Sequence, residues 1–237
     1  MSTLQVSNLH LESTGNNRIQ YLGSNQFSFS AGGATVATVN TTSFYTNLNF
    51  DIAGTFRVNN TDINPIGQQT IWVPAVAMYP RLTNGPAYGT IETTTNRVIL
   101  RTIDFDTTTQ EFAQFAIQMP KGWNEGTLIF QFLWSHAATT TNFGVVWAIE
   151  AVGFRDNDAT DVVFGTAVQV ADVGGTTNNI YITNETAALT VAGVPTPEEY
   201  IIFQVKRVPA DASDTMAIDA RLHGVKIHYT IDAARDD

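Results

Sequence analysis

Strict alternation of apolar and polar residues is the feature that most constrains the fold of this chain. In the segment TLIFQFLWSH, the side chains of Leu128, Phe130, Phe132, Trp134 and His136 share one parity. A period of two puts alternate side chains on opposite faces of an extended strand and does not fit the 3.6-residue period of a helix. The segment therefore predicts a β-strand with one buried face.

Similar segments recur through the second half of the sequence. GVKIHYTI alternates again, with Val225, Ile227, Tyr229 and Ile231 expected inside. FGVVWAIEAVGF is apolar on both faces, which is typical of a central strand. Turn residues separate about eight to ten such segments, and the only helix-like stretch, TPEEY, is one turn at most. The predicted fold is all-β, an antiparallel β-sandwich of the jelly-roll type.

The composition changes near the segment INPIGQQT. All tryptophans and all prolines lie at or after Pro65, and residues 1–64 carry only −1 of the formal net charge of −10. Pro65 and Gly67 are turn residues at the join. Two regions are therefore predicted: a short-strand attachment or shaft region over residues 1–64, and a jelly-roll-like knob over residues 65–237.

Short amphipathic segments repeat within the first region. NLHLESTGNNRI and NLNFDIAGTFRV align without gaps, each with a glycine at its eighth position. A repeat of this size cannot bury its apolar face alone. We therefore expect other copies of the chain to cover that face in a homotrimer, with a hairpin packed on the second region as the alternative. The expected contact residues are Leu48, Phe50, Ile52, Phe56 and Val58.

Composition also excludes several kinds of partner and chemistry. There is no cysteine, so a disulfide, a thiolate nucleophile and a cysteine-ligated metal are excluded. The net charge of −10 argues against nucleic acid as a partner. The first residues show no signal-peptide pattern, and no apolar run is long enough for membrane insertion, so neither is expected.

Residues with catalytic potential are few. The four histidines form no metal-binding motif, and no nucleophile motif such as GxSxG is present. Glu150 lies in an otherwise apolar strand, where a buried glutamate could be a general acid. A structural role is favoured instead: Glu150 pairs with an arginine such as Arg155 or Arg221, or points to a wet face at a subunit contact. No catalytic residue, no cofactor and no enzymatic activity are therefore predicted.

The loop FRDNDATD contains a group of oxygen-bearing side chains. Asp156, Asp158 and Asp161 are candidate calcium ligands, although the spacing does not match an EF-hand. Aspartate is also a common turn residue between strands. Both interpretations stay open from the sequence.

Two aromatic residues in turns indicate a possible carbohydrate contact. Trp123 lies in MPKGWNEG and Tyr88 in NGPAYG, where flanking glycine and proline favour a turn. An exposed ring in a turn can stack on a sugar ring, whereas a loop tryptophan can also close the core or contact another subunit.

Four segments of the second region resemble a known family: residues 119–127 (MPKGWNEGT), 134–147, 164–176 and 219–226. They resemble structural proteins of tailed-phage virions, common in marine and environmental phages, and the resemblance covers nearly all of residues 71–234. It implies a virion protein made in the host cytoplasm, and it implies no catalytic residues. The first 64 residues resemble, more loosely, attachment segments of trimeric phage fibres and head decorations.

Two functions are consistent with this resemblance. The first is a trimeric capsid decoration or fibre-type appendage, whose partners are itself and other capsid or tail proteins. The alternative is an adhesin whose knob binds polysaccharide on the host surface.

Overall fold

The computed structural model describes residues 8–10, 18–23, 26–31, 34–39, 44–46, 57–58, 61–62, 67–137 and 143–231. The chain divides into two compact units, Met1–Asn64 and Pro65–Asp237. The expected trimer contacts Leu48, Phe50, Ile52 and Phe56 lie outside the described residues, and Val58 is described only as a strand position.

Among the described residues of the first unit, the strands form two antiparallel sheets. Strands β1 to β5 follow one another in the larger sheet, as in a meander, and β6 pairs with β7. The strands are β1 Asn8–His10, β2 Arg18–Gly23, β3 Gln26–Ala31, β4 Ala34–Val39, β5 Phe44–Thr46, β6 Arg57–Val58 and β7 Thr61–Asp62.

The second unit contains eleven described strands and one short 3-10 helix, Ala75–Ala77. The strands are β8 Gly67–Pro74, β9 Tyr79–Pro80, β10 Ala87–Glu92, β11 Ile99–Phe105, β12 Phe112–Gln118, β13 Ile129–Ser135, β14 Phe143–Phe154, β15 Val168–Gly174, β16 Tyr181–Ile182, β17 Tyr200–Arg207 and β18 Ala220–Ile231. No helix in the described part of the chain combines the length and the apolar character needed to cross a membrane.

The strands of this unit form a two-sheet antiparallel β-sandwich. The front sheet has the order β15-β14-β17-β12-β9. The back sheet has the order β10-β11-β18-β13-β16, and β8 also pairs with β18. The predicted jelly-roll-like sandwich is thus the fold of the second unit.

The core lies between the two sheets and follows the predicted alternation. Every second residue of β13 is buried, from Phe130 to Trp134. Val225 and Ile227 of β18 are likewise buried, as predicted. The apolar strand β14 lies between β15 and β17, which confirms it as a central strand.

Some strand assignments differ from the sequence pattern. The segment AALTVA forms only isolated bridges, Leu128 with Leu189 and Val152 with Ala192. Strand β10 lies where no strand was predicted, because Gly89 interrupts the alternation of its side chains. The side chains of Thr102 and Asp104 occupy the space beside Gly89.

Candidate functional site

The outer face of the front sheet carries a group of aromatic and hydrogen-bonding side chains. Alternate residues of its strands join the core, among them Phe115, Phe203 and Ile149. Because strand side chains alternate, the residues between them point away from the core. These outer-face residues include Phe112, Gln114, Ala116, Tyr200, Ile202, Gln204, Lys206, Glu150, Val152 and Phe154.

Three of these side chains and Tyr79 of β9 form one row across four strands. Gln114 of β12 pairs with Tyr79 of β9 on one side and with Gln204 of β17 on the other. Gln204 in turn pairs with Glu150 of β14. Directly opposed residues on one face have neighbouring side chains, so the register alone brings these groups together.

Hydrogen bonds connect the polar members of the row. Gln114 Nε2 donates to Gln204 Oε1 at 2.8 Å, and Gln204 Nε2 donates to Glu150 Oε1 at 2.5 Å. Lys206 Nζ donates to Glu150 Oε2 at 2.6 Å. Gln204 is only 4% exposed, so it acts from below to orient the Gln114 amide and the Glu150 carboxylate. No described residue bonds to Gln114 Oε1, which leaves that acceptor for a ligand.

An aromatic ring lies beside Lys206, the lysine that bonds to Glu150 at one end of the row. The Phe112 ring lies 4.4 Å from the Arg81 guanidinium carbon and 5.8 Å from Lys206 Nζ, measured to the ring centroid. Both are within the range of a cation–π interaction. Lys206 is thus fixed between the Phe112 ring and the Glu150 carboxylate.

Aromatic rings cover the other side of the row. Tyr79 is 44% exposed and Tyr200 is 46% exposed. Burial raises the pKa of the Tyr79 hydroxyl, and the neighbouring Tyr200 raises it further. The two tyrosines flank Ala116, the residue of β12 between their partners Gln114 and Gln118. The Tyr200 ring also lies 6.2 Å from the Phe154 ring.

A pocket adjoins this aromatic surface. It has a volume of about 410 Å³ and is lined by outer-face residues Val152 and Phe154, together with Arg155, Asp158 and Val163. Arg155 Nε lies 3.5 Å from Glu199 Oε2, and its Nη2 donates to the Val194 carbonyl. The pocket therefore combines apolar walls with a guanidinium group at its rim.

This arrangement offers two kinds of contact side by side. The partly exposed tyrosine rings provide flat apolar surface, and the amide and carboxylate of the neighbouring row provide directional acceptors and donors. Sugar rings present the matching groups, because each has C–H groups on its faces and hydroxyls around its rim. The face is therefore chemically suited to a saccharide.

Of the two aromatic residues predicted to contact a glycan, the structure places neither on this face. Trp123 is 2% exposed and belongs to the core, as in the alternative that the sequence left open: its ring closes the core, where its apolar area is removed from water. Tyr88 is 58% exposed on β10 of the back sheet, and its hydroxyl donates to the Met78 carbonyl at 2.7 Å.

The acidic loop forms a turn. Asp158 Oδ2 accepts the Arg155 backbone N–H at 2.8 Å, as a turn aspartate does. Asp156, Asp158 and Asp161 are not brought together as calcium ligands, since among the described residues no three His, Cys, Asp or Glu side chains form a group able to hold a metal ion.

Glu150 is an ion-pair partner, as interpreted from the sequence, but of a different residue. It pairs with Lys206, and not with Arg155 or Arg221. Sequence reasoning missed Tyr79, Gln114 and Gln204 as site residues. The alternation of EFAQFAIQM and YIIFQVKRV places their outer residues on one face, but only the strand order brings those faces together.

Comparisons with known proteins found similar folds among carbohydrate-binding modules. No family model and no curated protein matches the chain. A family 35 module (CBM35) from Cellvibrio japonicus is 10% identical, with a TM-score of 0.39, over 67% of this chain and 92% of that one. The CBM22-2 xylan-binding domain from Paenibacillus barcinonensis is 9% identical, with a TM-score of 0.38, over 65% of this chain and 91% of that domain. A family 11 module from Clostridium thermocellum, solved with a mixed-linked tetrasaccharide, is 7% identical, with a TM-score of 0.37, over 67% and 94%.

Proposed function

We propose that the second unit binds a carbohydrate chain along the outer face of its front sheet. The observation that carries this proposal is the row from Tyr79 to Glu150, in which an exposed ring and oriented hydrogen-bonding groups follow one another across four strands. One sugar ring stacks on the surface of Tyr79 and Tyr200, and its hydroxyls bond to Gln114 and Glu150.

The geometry supports binding by side chains that are already in position. Gln204 holds the amide and the carboxylate through hydrogen bonds, and Lys206 holds the carboxylate from the other side. Groups fixed before binding lose little conformational freedom on binding. Strand positions are also more rigid than loop positions, which favours selection of one saccharide over its epimers.

The proposed activity is binding without cleavage. Both carboxylate oxygens of Glu150 accept hydrogen bonds from neighbouring side chains, so the group serves as an acceptor. A glycosidase needs a second carboxyl group across the scissile bond, and among the described residues no other carboxylate belongs to this row.

We also propose that the first unit attaches the carbohydrate-binding unit to a virion as a homotrimer, as the resemblance to phage structural proteins implies. The separation into two compact units supports a division between attachment and binding. Light scattering on the full chain tests this arrangement. A mass near three times 25.8 kDa is expected, and a monomer would contradict the trimer.

Binding is tested on an array of immobilised neutral and acidic oligosaccharides, followed by calorimetric titration of each positive oligosaccharide. Tyr200→Ala is expected to lower the affinity about tenfold, because an aromatic contact contributes about 1–1.5 kcal/mol. Tyr88→Ala is the matched control, since Tyr88 is a similarly exposed tyrosine on the other sheet.

Three results would contradict the proposed function. One is the absence of binding to any oligosaccharide on the array. Another is equal affinity of wild type and Tyr200→Ala for every bound oligosaccharide. The third is the release of reducing sugar ends from a bound polysaccharide, which would indicate an enzyme.

A further inference from the structure

The outer face of the back sheet holds a second exposed aromatic platform. Trp72 of β8 is 45% exposed. A Cβ atom on Gly224 of β18 would lie 2.4 Å from Trp72 Cη2 and 2.6 Å from Cζ2, so the six-membered ring of the indole lies directly over Gly224. A glycine inside a strand often marks close approach of another group. Here it makes room for the indole to lie along the sheet.

A hydrogen-bonded strip runs beside this platform. Thr70 Oγ1 lies 3.0 Å from His228 Nδ1, and His228 Nε2 lies 3.3 Å from Gln131 Oε1. Gln131 Nε2 donates to the Thr183 carbonyl at 2.9 Å. All hydrogen bonds are satisfied when His228 carries its proton on Nε2 and Thr70 donates to Nδ1. The strip is therefore a fixed polar surface across β8, β18 and β13.

Lys226 lies between the platform and the strip. It pairs with Trp72 on one side and with Gln131 on the other. It forms no ion pair and no hydrogen bond with any described residue, in contrast to Lys206 of the front sheet, which is paired with Glu150. Glu185, at the far end of the strip, lies 4.0 Å from His228 Nε2. Lys226 is thus a cation without a described partner, next to a flat ring, on a chain of net charge −10.

We infer that this surface is a second saccharide site, selective for a sugar that carries a carboxylate. The acidic sugar ring lies on the Trp72 indole, its carboxylate accepts from the Lys226 ammonium, and its hydroxyls bond to Thr70 and Gln131. A charge-assisted hydrogen bond is about twice as strong as a neutral one, which makes Lys226 the source of selectivity. The site shares no residue with the front-sheet row, so it does not depend on the function proposed above.

The experiment compares two trisaccharide probes that differ only at C6 of each sugar residue. Trigalacturonate carries a carboxylate at C6 of each residue, and the corresponding galactose trisaccharide carries a hydroxymethyl group there. In calorimetric titration of the full chain at low salt, trigalacturonate is expected to bind at least tenfold more tightly than the galactose trisaccharide, because the Lys226 contact is charge-assisted. This difference in affinity is expected to decrease as the salt concentration rises, because salt partly screens the half-buried charge of Lys226.

Three variants assign the binding to this surface. Lys226→Met keeps the length of the side chain and is expected to remove the tenfold preference for the acidic probe. Trp72→Ala is expected to lower the affinity for both probes about tenfold, because the stacking surface is lost. Gly224→Ala tests the same platform with Trp72 still present, because the added methyl group would displace the indole. The methyl carbon would also lie 2.5 Å from the Val73 carbonyl oxygen, so the free energy of unfolding of this variant is measured as well. Circular dichroism checks that each variant is folded.

Two controls separate this site from other causes. Lys121→Met removes a lysine from elsewhere in the second unit, and Tyr200→Ala removes the front-sheet ring. Both are expected to leave the preference for trigalacturonate unchanged. Equal affinity of the wild-type chain for the two trisaccharides, or an unchanged preference in Lys226→Met, would overturn the inference. A preference lost in Tyr200→Ala, together with wild-type affinity for both trisaccharides in Trp72→Ala, would assign the acidic sugar to the front sheet instead.

Discussion

Arg207 and Asp214 form a two-point ion pair that is closed to solvent. Arg207 Nε donates to Asp214 Oδ2 at 2.9 Å, and Nη2 donates to Oδ1 at 2.7 Å. The two side chains are 0% and 1% exposed. The guanidinium also donates to the carbonyls of Met216 and Ile218, at 2.5 and 2.8 Å. Arg207 therefore fixes the segment that joins β17 to β18.

Removal of the arginine is expected to destabilise the second unit strongly. In Arg207→Met, the Asp214 carboxylate stays buried without its partner, and the loss of one member of a buried pair costs about 3–5 kcal/mol. Chemical denaturation measures the free energy of unfolding. The control is Arg97→Met, whose pair with Glu92 is exposed and is expected to contribute less than about 1 kcal/mol. Similar losses in the two variants would show that burial of the Arg207 pair has no special effect.

Stability is expected to depend on pH through Asp106. Backbone hydrogen bonds from Thr109 and Thr108 lower the pKa of Asp106 from 3.8 to about 2. A carboxylate with a lowered pKa in the folded state stabilises the fold above its unfolded pKa, and this contribution is lost as the pH falls from about 4 towards about 2. The free energy of unfolding, measured at several pH values in that window, is expected to fall less in Asp106→Asn than in the wild type.

Two neighbouring carboxyl groups act in the opposite direction. Burial raises the pKa of Glu111 and of Asp219, so each takes up its proton at a higher pH in the folded state. Their protonation on acidification favours the fold. Burial, the largest cause of both shifts, remains in the Asp106→Asn variant, whereas the smaller contribution of the Asp106 charge to both pKa values is removed. The control is Asp156→Asn, which removes an exposed carboxylate. If its pH profile changed as much as that of Asp106→Asn, the hydrogen bonds to Asp106 would not be the cause.

Much of the fold can be predicted from the sequence because its signals are local. Alternation along β13 identifies the buried face that ends in Trp134, and an apolar run on both faces identifies β14 as central. These patterns depend only on the geometry of a single strand. Trp123 shows the opposite case, since turn residues around it indicate exposure while its own apolar area draws it into the core.

The candidate site is harder to predict because it depends on strand order. Gln114 and Gln204 are 90 residues apart in sequence, and their hydrogen bond exists only because β12 pairs with β17 in register. A shift of one residue in that pairing would turn one of the two side chains to the other face. The partner of Glu150 was missed for the same reason, since Lys206 is brought to it by the pairing of β14 with β17.

Gln204 is expected to act as a positioning residue for the proposed front-sheet site. In Gln204→Leu, the Gln114 amide and one oxygen of Glu150 lose their shared partner, while both tyrosine rings remain. We expect about a tenfold loss of affinity for a saccharide bound on this face, since each hydrogen bond to a charged group contributes about 1.5–3 kcal/mol. Titration of wild type and variant with the same oligosaccharide measures the loss.

A second substitution of Gln204 tests the need for a neutral amide at this position, and a control substitution tests whether the loss is specific to the row. Gln204→Glu keeps the size of the side chain but puts a second carboxylate beside Glu150, so it is expected to weaken binding too. Gln69→Leu removes an exposed amide on β8 of the back sheet and is expected to bind normally. Normal affinity in Gln204→Leu would show that Gln114 and Glu150 do not need the hydrogen bonds of Gln204 to bind the saccharide.

Phe203 is expected to be a main link between the two sheets. Its ring stacks on Phe115 of the front sheet at 5.0 Å between centroids, and meets Phe130 of the back sheet edge-on at 6.0 Å. Phe203→Ala leaves a cavity in a closely packed core and is expected to cost about 3–5 kcal/mol in the free energy of unfolding. Phe203→Leu keeps part of the volume and is expected to cost less. Leu82→Ala, at a fully exposed position, is the control and is expected to change the free energy of unfolding by less than about 0.5 kcal/mol. A loss below about 1 kcal/mol in Phe203→Ala would mean that the ring does not join the sheets.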